Sequence, residues 1–281
     1  MGKLTFTADK DGTLENMLMK DKGISRRTIS KLKRTENGIT RNGILIRTID
    51  TVKCGDVIVL DIPDKNLIDP NPDLDVTIAF ENERLVVFDK PVGMPVHPSI
   101  KHRLDTLGNY FTVLYPEKTF RPINRLDRDT SGLCAVAKDA VSASLLQNSI
   151  KKTYYAAVTG KITESGVIDA PIAREQESII KRVVRDDGKK AVTRYKPISI
   201  GNRYTLLEID LETGRTHQIR VHFSYIGHPL AGDELYGGSK DDINEQALHC
   251  GKMTIQLPWE NNFITVTSPI REDMKRLLEK E

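Results

Sequence analysis

Residues 124–137 read Asn124-Arg125-Leu126-Asp127-Arg128-Asp129-Thr130-Ser131-Gly132-Leu133-Cys134-Ala135-Val136-Ala137, a polar segment that runs directly into an apolar one. Two carboxylates, two arginines and two hydroxyls stand within residues 125–131, shortly after the loop-forming pair Arg121-Pro122. The apolar run Leu133–Ala137 has the length and composition of a buried strand. We therefore expect a functional site at one end of a sheet, although a solvated, salt-bridged loop would have the same local composition.

Basic residues are concentrated in the first fifth of the chain. Residues 1–62 contain 12 Lys and Arg against 8 Asp and Glu, whereas the other residues of the 281 contain 30 against 31. The net charge of +3 therefore originates near the N-terminus. A local excess of this kind predicts an anionic partner for that part of the chain.

The composition excludes several classes of protein. Three widely separated cysteines, Cys54, Cys134 and Cys250, have no zinc-binding spacing. We expect Cys134 and Cys250 to be small core residues in a reducing compartment. No apolar run approaches the ~20 residues that span a bilayer, and we see no apolar leader. The sequence thus predicts a soluble cytoplasmic protein, with no membrane partner and, by default, a monomer.

A compact module is predicted over residues 1–62. Thr13 can cap one short helix and Ser25 a second, and Asn42-Gly43 supplies the positive φ angles of a tight hairpin turn. In outline this module resembles the RNA-binding domain first described in small-subunit ribosomal protein S-four. The second helix is basic with few interleaved acids, which favours RNA binding over a merely solvated helix face. The predicted RNA-binding residues are Arg26, Arg27, Lys31, Lys33 and Arg34.

A linker is predicted at residues 63–72, which contain three prolines, and a second domain at 73–281. In that domain we predict more strands than helices. The expected strands are Val76–Phe80, Leu85–Phe88, Tyr154–Val158, Val192–Tyr195, Tyr204–Leu211, Gln218–Phe223, Ile255–Leu257 and Ile264–Val266, and the expected helices run from Asp139 to about Ile150 and over Asp273–Leu278. The predicted fold class is α+β, a mixed, mainly antiparallel sheet with flanking helices, plus the small N-terminal α/β RNA-binding domain.

The second domain resembles the RluA-type family of RNA pseudouridine synthases. Several segments match the family in order along the chain, which is far more specific than any one match. They are Asn82–Pro98, Arg125–Leu133, Lys152–Ala156, Gly214–His222 and Gly227–Asp233. One position departs from the family, because Asn124 stands where a histidine is frequent before Arg-Leu-Asp. We expect Asn124 to alter the position of the loop without abolishing the chemistry.

The resemblance implies a reaction and a set of site residues. Asp127 would be the catalytic carboxylate, acting as a nucleophile on the base ring or the anomeric carbon, or as a base at the sugar. The match implies that Arg220, in the predicted strand, keeps this carboxylate charged, since a nearby cation opposes the effect of burial. Tyr154 would stack on the target base, and Ile219 would line the other side of the pocket. Arg125 would fill the space left by a flipped base, or instead contact phosphate or Asp129.

Other polar residues receive structural interpretations. We expect Asp129 to be a capping or loop partner, Thr130 and Ser131 to bond loop backbone donors, and His217 to be a packed, hydrogen-bonded histidine. Since the reaction is an isomerisation, neither a cofactor nor a metal is expected.

Two other functions compete with this interpretation. The Asp127-x-Asp129 pair superficially resembles that of magnesium-dependent aspartyl phosphatases, but the preceding Arg121–Arg125 is a poor buried strand. A catalytically inactive RNA-binding or ribosome-assembly factor is the second alternative. The presence of Asp127, Tyr154 and Arg220 together favours the enzyme. We expect an RNA partner, with large-subunit ribosomal RNA favoured and transfer RNA as the alternative.

Overall fold

The computed structural model describes residues 3–61, 67–176, 180–260 and 262–279. Residues 63–66 of the predicted linker lie outside these ranges, so the predicted division at 63–72 stays a prediction. Within the described ranges, no helix has both the length and the apolar character that a membrane span needs.

The N-terminal part forms a small sheet with helices on it. Its strands are Lys3–Thr7 (β1), Gly12–Thr13 (β2), Ile39–Arg41 (β3), Ile44–Leu45 (β4), Thr51–Val52 (β5) and Val57–Asp61 (β6). Its helices are Leu14–Asn16 (α1), extended by a π-helical turn at Met17–Asp21, and Arg26–Leu32 (α2). Strands pair in the order β1-β6-β3-β4, and β2 pairs with β5. The predicted caps are present, since Thr13 accepts a bond from the Asn16 amide and Ser25 from the Thr28 amide.

The second part is built on one large sheet. Its strands are Thr77–Glu81 (β7), Leu85–Lys90 (β8), Arg121–Pro122 (β9), Ser131–Ala137 (β10), Ile150–Thr159 (β11), Gly166–Asp169 (β12), Ile172–Arg174 (β13), Arg182–Val184 (β14), Val192–Ile200 (β15), Tyr204–Leu211 (β16), Leu248–Leu257 (β17) and Asn262–Thr267 (β18). Its helices are Leu107–Leu114 (α3), Ala140–Leu146 (α4), Gln218–Tyr225 (α5) and Glu272–Arg276 (α6), with 3₁₀ turns at Glu234–Tyr236 and Leu277–Glu279.

The pairing in this sheet is mixed but mainly antiparallel, which confirms the predicted fold class. The path is β12-β15-β16-β11-β17-β10-β8-β7, with β18 on β17 and β9 on β10. Only the β10–β17 pair is parallel among the described strands. There Gly132 faces Cys250, and a Cβ at position 132 would lie 2.3 Å from the Cys250 carbonyl oxygen. Glycine is therefore required for β10 and β17 to approach so closely.

Two hydrophobic cores lie on either side of α4. The N-terminal core includes Leu18, Ile29 and Leu60, and Val141 from α4 is buried in it. The larger core lies under the main sheet around β8, β10, β11 and β17. Cys134 and Cys250 are fully buried in the larger core, as predicted. Helix α4 thus joins the two parts of the molecule.

One predicted strand is wrong, because Gln218–Phe223 lies within helix α5. The alternation of polar residues suggested a period of two, but Gln218 and His222 are one helical turn apart. Both side chains bond to Thr193, at 3.0 Å and 2.9 Å. All six residues are buried, so exposure does not alternate either. The helix after Asp139 also ends earlier than predicted, at Leu146, and Ile150 already begins β11.

Candidate active site

Asp127 lies at the tip of the hairpin that joins β9 to β10. The Asn124 side chain closes this hairpin, donating to the Leu133 carbonyl at 3.1 Å and accepting from the Ala135 amide at 2.8 Å. The Thr130 amide donates to the Asp127 carbonyl at 3.1 Å and forms the turn of the loop. Asn124 therefore supplies the cross-strand bonds that hold the Asp127 loop in position.

Arg220 is held between two carboxylates. Its Nη1 donates to Asp127 Oδ2 at 3.1 Å, while Nε and Nη2 donate to Asp233 Oδ2 and Oδ1 at 2.6 Å and 2.8 Å. Burial opposes the charge, but the bonds to Asp233 and the charge of Asp127 prevail and raise the pKa of Arg220. The bidentate hydrogen bond to Asp233 fixes the plane of the Arg220 guanidinium. One Nη then points at Asp127, whose side chain is 33% exposed and open to a ligand.

His217 lies on the other side of the same carboxylate. It stands before α5 in the left-handed region, with φ of 57°, which is uncommon for a residue other than glycine. Its Nδ1 shares a hydrogen bond with the Tyr236 hydroxyl at 2.8 Å, and its Nε2 lies 3.6 Å from Asp127 Oδ2. Burial lowers the pKa of His217, so a neutral imidazole faces Asp127 at neutral pH. The side chain is packed and hydrogen-bonded, as the sequence suggested.

A pocket opens beside Asp127. Tyr154, Ile219, Leu211 and Leu248 contribute to its apolar lining. The register of β11 against β17 shifts between Thr153 and Tyr154, opposite Lys252 and Cys250. Burial raises the pKa of Tyr154 well above its usual value, which keeps the phenol neutral. The structure thus brings Asp127, Arg220, Tyr154 and Ile219 into one site.

Arg125 is exposed at the rim of this pocket. The predicted alternative of an Arg125–Asp129 salt bridge is wrong, because Asp129 pairs with Arg128 at 2.7 Å and 3.0 Å. A groove continues from Arg125 along Lys151 and Lys152. The rim of the pocket is therefore basic.

The hydroxyl groups of Thr130 and Ser131 bond to other partners than the loop backbone donors that we predicted. Thr130 bonds the Gln246 side chain rather than loop backbone, and Ser131 bonds His249 Nδ1 at 2.9 Å. Gln246 precedes β17 and His249 lies near its start. Strand β17 is distant from β10 in the sequence and pairs with it only in the folded sheet. These hydroxyls tie the loop to the sheet, and local sequence could not identify their partners.

Sequence reasoning also missed Lys90. Its side chain is fully buried, and Nζ donates to the carbonyls of Pro91, Met94 and Arg128 at 2.8, 2.8 and 3.0 Å. Burial lowers the pKa of the ammonium to about 8, against the opposing effect of nearby groups that include Asp129 and Asp127. Through its bond to the Arg128 carbonyl, Lys90 anchors the Asp127 loop to the segment after β8. The only local signal was an ionisable residue at the end of the strand that begins with the apolar run Leu85–Phe88, directly after Asp89.

Lys90→Met is expected to lower the free energy of unfolding by about 3–5 kcal/mol, because three buried carbonyls lose their donor. Thermal and urea unfolding measure this change. Lys252→Met is the matched control, since Lys252 is exposed on β17 and its replacement should cost less than about 0.5 kcal/mol. Equal stability of the two variants would show that the anchor is unimportant.

The predicted RNA-binding residues lie away from this pocket. Arg26, Arg27 and Lys31 are exposed on α2, and Lys33 and Arg34 are exposed just after it. None of them lines the pocket beside Asp127.

Comparison with known proteins provides independent evidence. Residues 84–225 match the family model described as RNA pseudouridylate synthase. The uncharacterised RNA pseudouridine synthase YjbO of Bacillus subtilis strain 168 is 35% identical over 274 residues, covering 92% of this chain and 96% of that protein. Ribosomal large subunit pseudouridine synthase D of Pseudomonas aeruginosa PAO1 is 36% identical over 264 residues, covering 85% of this chain and 82% of that protein.

A solved structure supports the same relationship. Human RNA pseudouridylate synthase domain containing 1 aligns with a TM-score of 0.60 and 25% identity, covering 72% of this chain and 86% of that one. The matched family segment, residues 84–225, includes Asp127, Tyr154 and Arg220.

Proposed function

Because this chain belongs to the RNA pseudouridylate synthase family, we propose that Asp127 is the carboxylate with which it isomerises uridine to pseudouridine in RNA. The observation that carries the proposal is the Asp127–Arg220 pair, 3.1 Å apart, beside a pocket lined by Tyr154 and Ile219. A guanidinium fixed by a second carboxylate restricts the rotamer of Asp127.

The reaction requires few participants. The bond from uracil N1 to ribose C1′ breaks, the base turns, and a bond from C5 to C1′ forms, while the proton of C5 is lost and N1 gains one. No electrons are exchanged with another molecule, so the chemistry calls for neither a cofactor nor a metal. Asp127 supplies the nucleophile or the base of this sequence.

The pocket residues have complementary roles in this proposal. Tyr154 stacks on the extruded base and Ile219 contacts it from the other side, since both line the pocket next to Asp127. A uridine within folded RNA must leave its stack to reach this depth. Arg125, exposed at the rim and without a carboxylate partner among the residues described here, takes the space that the base leaves.

We propose large-subunit ribosomal RNA as the substrate. The support is the 36% identity to a Pseudomonas aeruginosa protein named ribosomal large subunit pseudouridine synthase D. The experiment is to map pseudouridines in ribosomal and transfer RNA from a deletion strain. The expected result is loss of one or a few sites in large-subunit RNA, restored by the wild-type gene and not by Asp127→Asn. If pseudouridines were lost only from transfer RNA, the proposed substrate would be wrong, while the proposed enzymatic activity would stand.

The N-terminal module is proposed to bind RNA through its basic helix. Charge reversal of Arg26, Arg27 and Lys31 to Glu should weaken binding of large-subunit RNA and reduce the slope of log K against log salt by about two, because fewer counterions are released. Titrations at several salt concentrations measure the slope. An unchanged slope would identify the helix as a solvated surface.

A further inference from the structure

The basic helix α2 is packed against helix α4 of the second part. The Ser25 amide donates to Ser144 Oγ at 3.0 Å, and Val141 of α4 is buried in the N-terminal core. A hydrogen bond and an apolar side chain shared across the junction fix α2 relative to the sheet that carries Asp127. The N-terminal module is therefore held at a defined place relative to the sheet that carries Asp127.

A cleft lies along this junction. From α2 and the turn after it, Arg27, Lys31 and Arg34 line the cleft, and Arg121 lines it from the second part. Residues 27 and 31 are four apart and therefore share one face of α2. Arg26 and Lys33 do not line the cleft, although both are exposed. No carboxylate is among the described residues that line it, so the cleft is complementary to a polyanion.

The cleft leads to the active site. Gln147, at the end of α4, lines both this cleft and the groove beside Asp127. From Gln147 the groove follows Lys151 and Lys152 to Arg125 at the rim of the pocket. Glu212 also lines the groove, where it pairs with Arg194. The other described charged residues that border the surface from α2 to Asp127 are cations.

We propose that the cleft between α2 and α4 binds the sugar–phosphate backbone of the substrate RNA on one side of the target uridine. The proposal rests on the proposed function and specifies which residues of the basic helix take part. Phosphate contacts position a nucleic acid without reading its sequence. A rigidly placed phosphate site would set which uridine along a folded RNA can reach Asp127, and Gln147 would contact the backbone between the two sites.

Two double variants with the same change of charge test the proposal. Arg27→Glu with Lys31→Glu changes the cleft, whereas the outer pair, Lys20→Glu with Lys53→Glu, changes two exposed lysines of the N-terminal module outside the cleft. The probe is a transcript of large-subunit ribosomal RNA, with binding followed by anisotropy and turnover by tritium release from [5-³H]uridine. We expect the cleft pair to raise Kd and KM about 10- to 100-fold and the outer pair less than about 3-fold. The kcat at saturating RNA should stay within about twofold for both.

A third variant addresses the middle of the path. Gln147→Glu adds a charge without altering α2, and we expect it to raise Kd about 3- to 10-fold. Circular dichroism and thermal unfolding check that each variant is folded, which the exposure of Arg27 and Lys31 favours. Equal weakening by the cleft and outer pairs, or no weakening by the cleft pair, would overturn the proposal.

The outcomes for the cleft and for the enzyme are separable. If the wild-type protein released no tritium from any RNA, the proposed function would fail, while the difference in Kd between the two pairs would still decide the cleft. If the wild-type protein turned over RNA and the two double variants bound RNA equally, only the proposal that the cleft binds the RNA backbone would be wrong.

Discussion

Asp127→Asn is expected to lower the rate of pseudouridine formation by about 10⁴-fold or more, with the Kd for RNA changed less than about threefold. Asparagine has the shape of the aspartate but no charge, so it cannot act as a nucleophile or base. The fold should persist, because Arg220 keeps its 2.6 Å and 2.8 Å bonds to Asp233. Single-turnover tritium release at saturating RNA measures the rate, and anisotropy measures the Kd.

The neighbouring carboxylate provides the control for this prediction. Asp129 carries the same charge two residues away, but its side chain pairs with Arg128. Asp129→Asn should therefore change the rate less than about threefold. A variant of Asp127 that kept a tenth of the wild-type rate, or equal losses in both variants, would refute the assignment of Asp127.

Arg220→Met is expected to have two large effects. It removes the partner of Asp233, whose side chain is 1% exposed, and an uncompensated buried charge costs about 3–5 kcal/mol. It also removes the cation 3.1 Å from Asp127, so turnover should fall by about 10³-fold or more. Thermal unfolding and single-turnover tritium release measure the two effects separately.

A double variant separates the structural from the catalytic role. Arg220→Met with Asp233→Leu removes both buried charges, and such replacements recover stability in other proteins. We expect most of the lost stability to return while turnover stays as low as in Arg220→Met. Recovery of turnover together with stability would mean that Arg220 acts only through the fold.

The parts of the fold that depend on local chemistry could be predicted from the sequence. Asn42 and Gly43 have φ of 51° and 82°, as the predicted tight turn requires. Asp139 caps α4 by accepting from the Val141 and Ser142 amides. The strand Tyr204–Leu211 has the predicted bounds. In each case the residues involved are neighbours in the chain, so a short pattern contains the whole interaction.

The parts that failed depend on contacts between distant segments. Polar and apolar residues alternate in Gln218–Phe223, which is the pattern of a strand with one polar face. In the structure His222 is buried and bonds to Thr193 and Ala170, partners that the alternation does not reveal. Asp233 reaches Arg220 from a separate segment, and it stood in a matched segment without an assigned role. Lys90 bonds the Arg128 carbonyl of the Asp127 loop only after β8 and β10 have paired. A pattern of polarity cannot show where a buried charge finds its partner.

The most direct measurement is made on the wild-type protein alone. Large-subunit ribosomal RNA transcribed with [5-³H]uridine is incubated with the protein, and the released tritium is compared with the pseudouridine recovered after digestion to nucleosides. We predict one pseudouridine for each tritium released, at a small whole number of sites per RNA and without added cofactor. Binding of ribosomal and transfer RNA with neither tritium release nor pseudouridine would contradict the account.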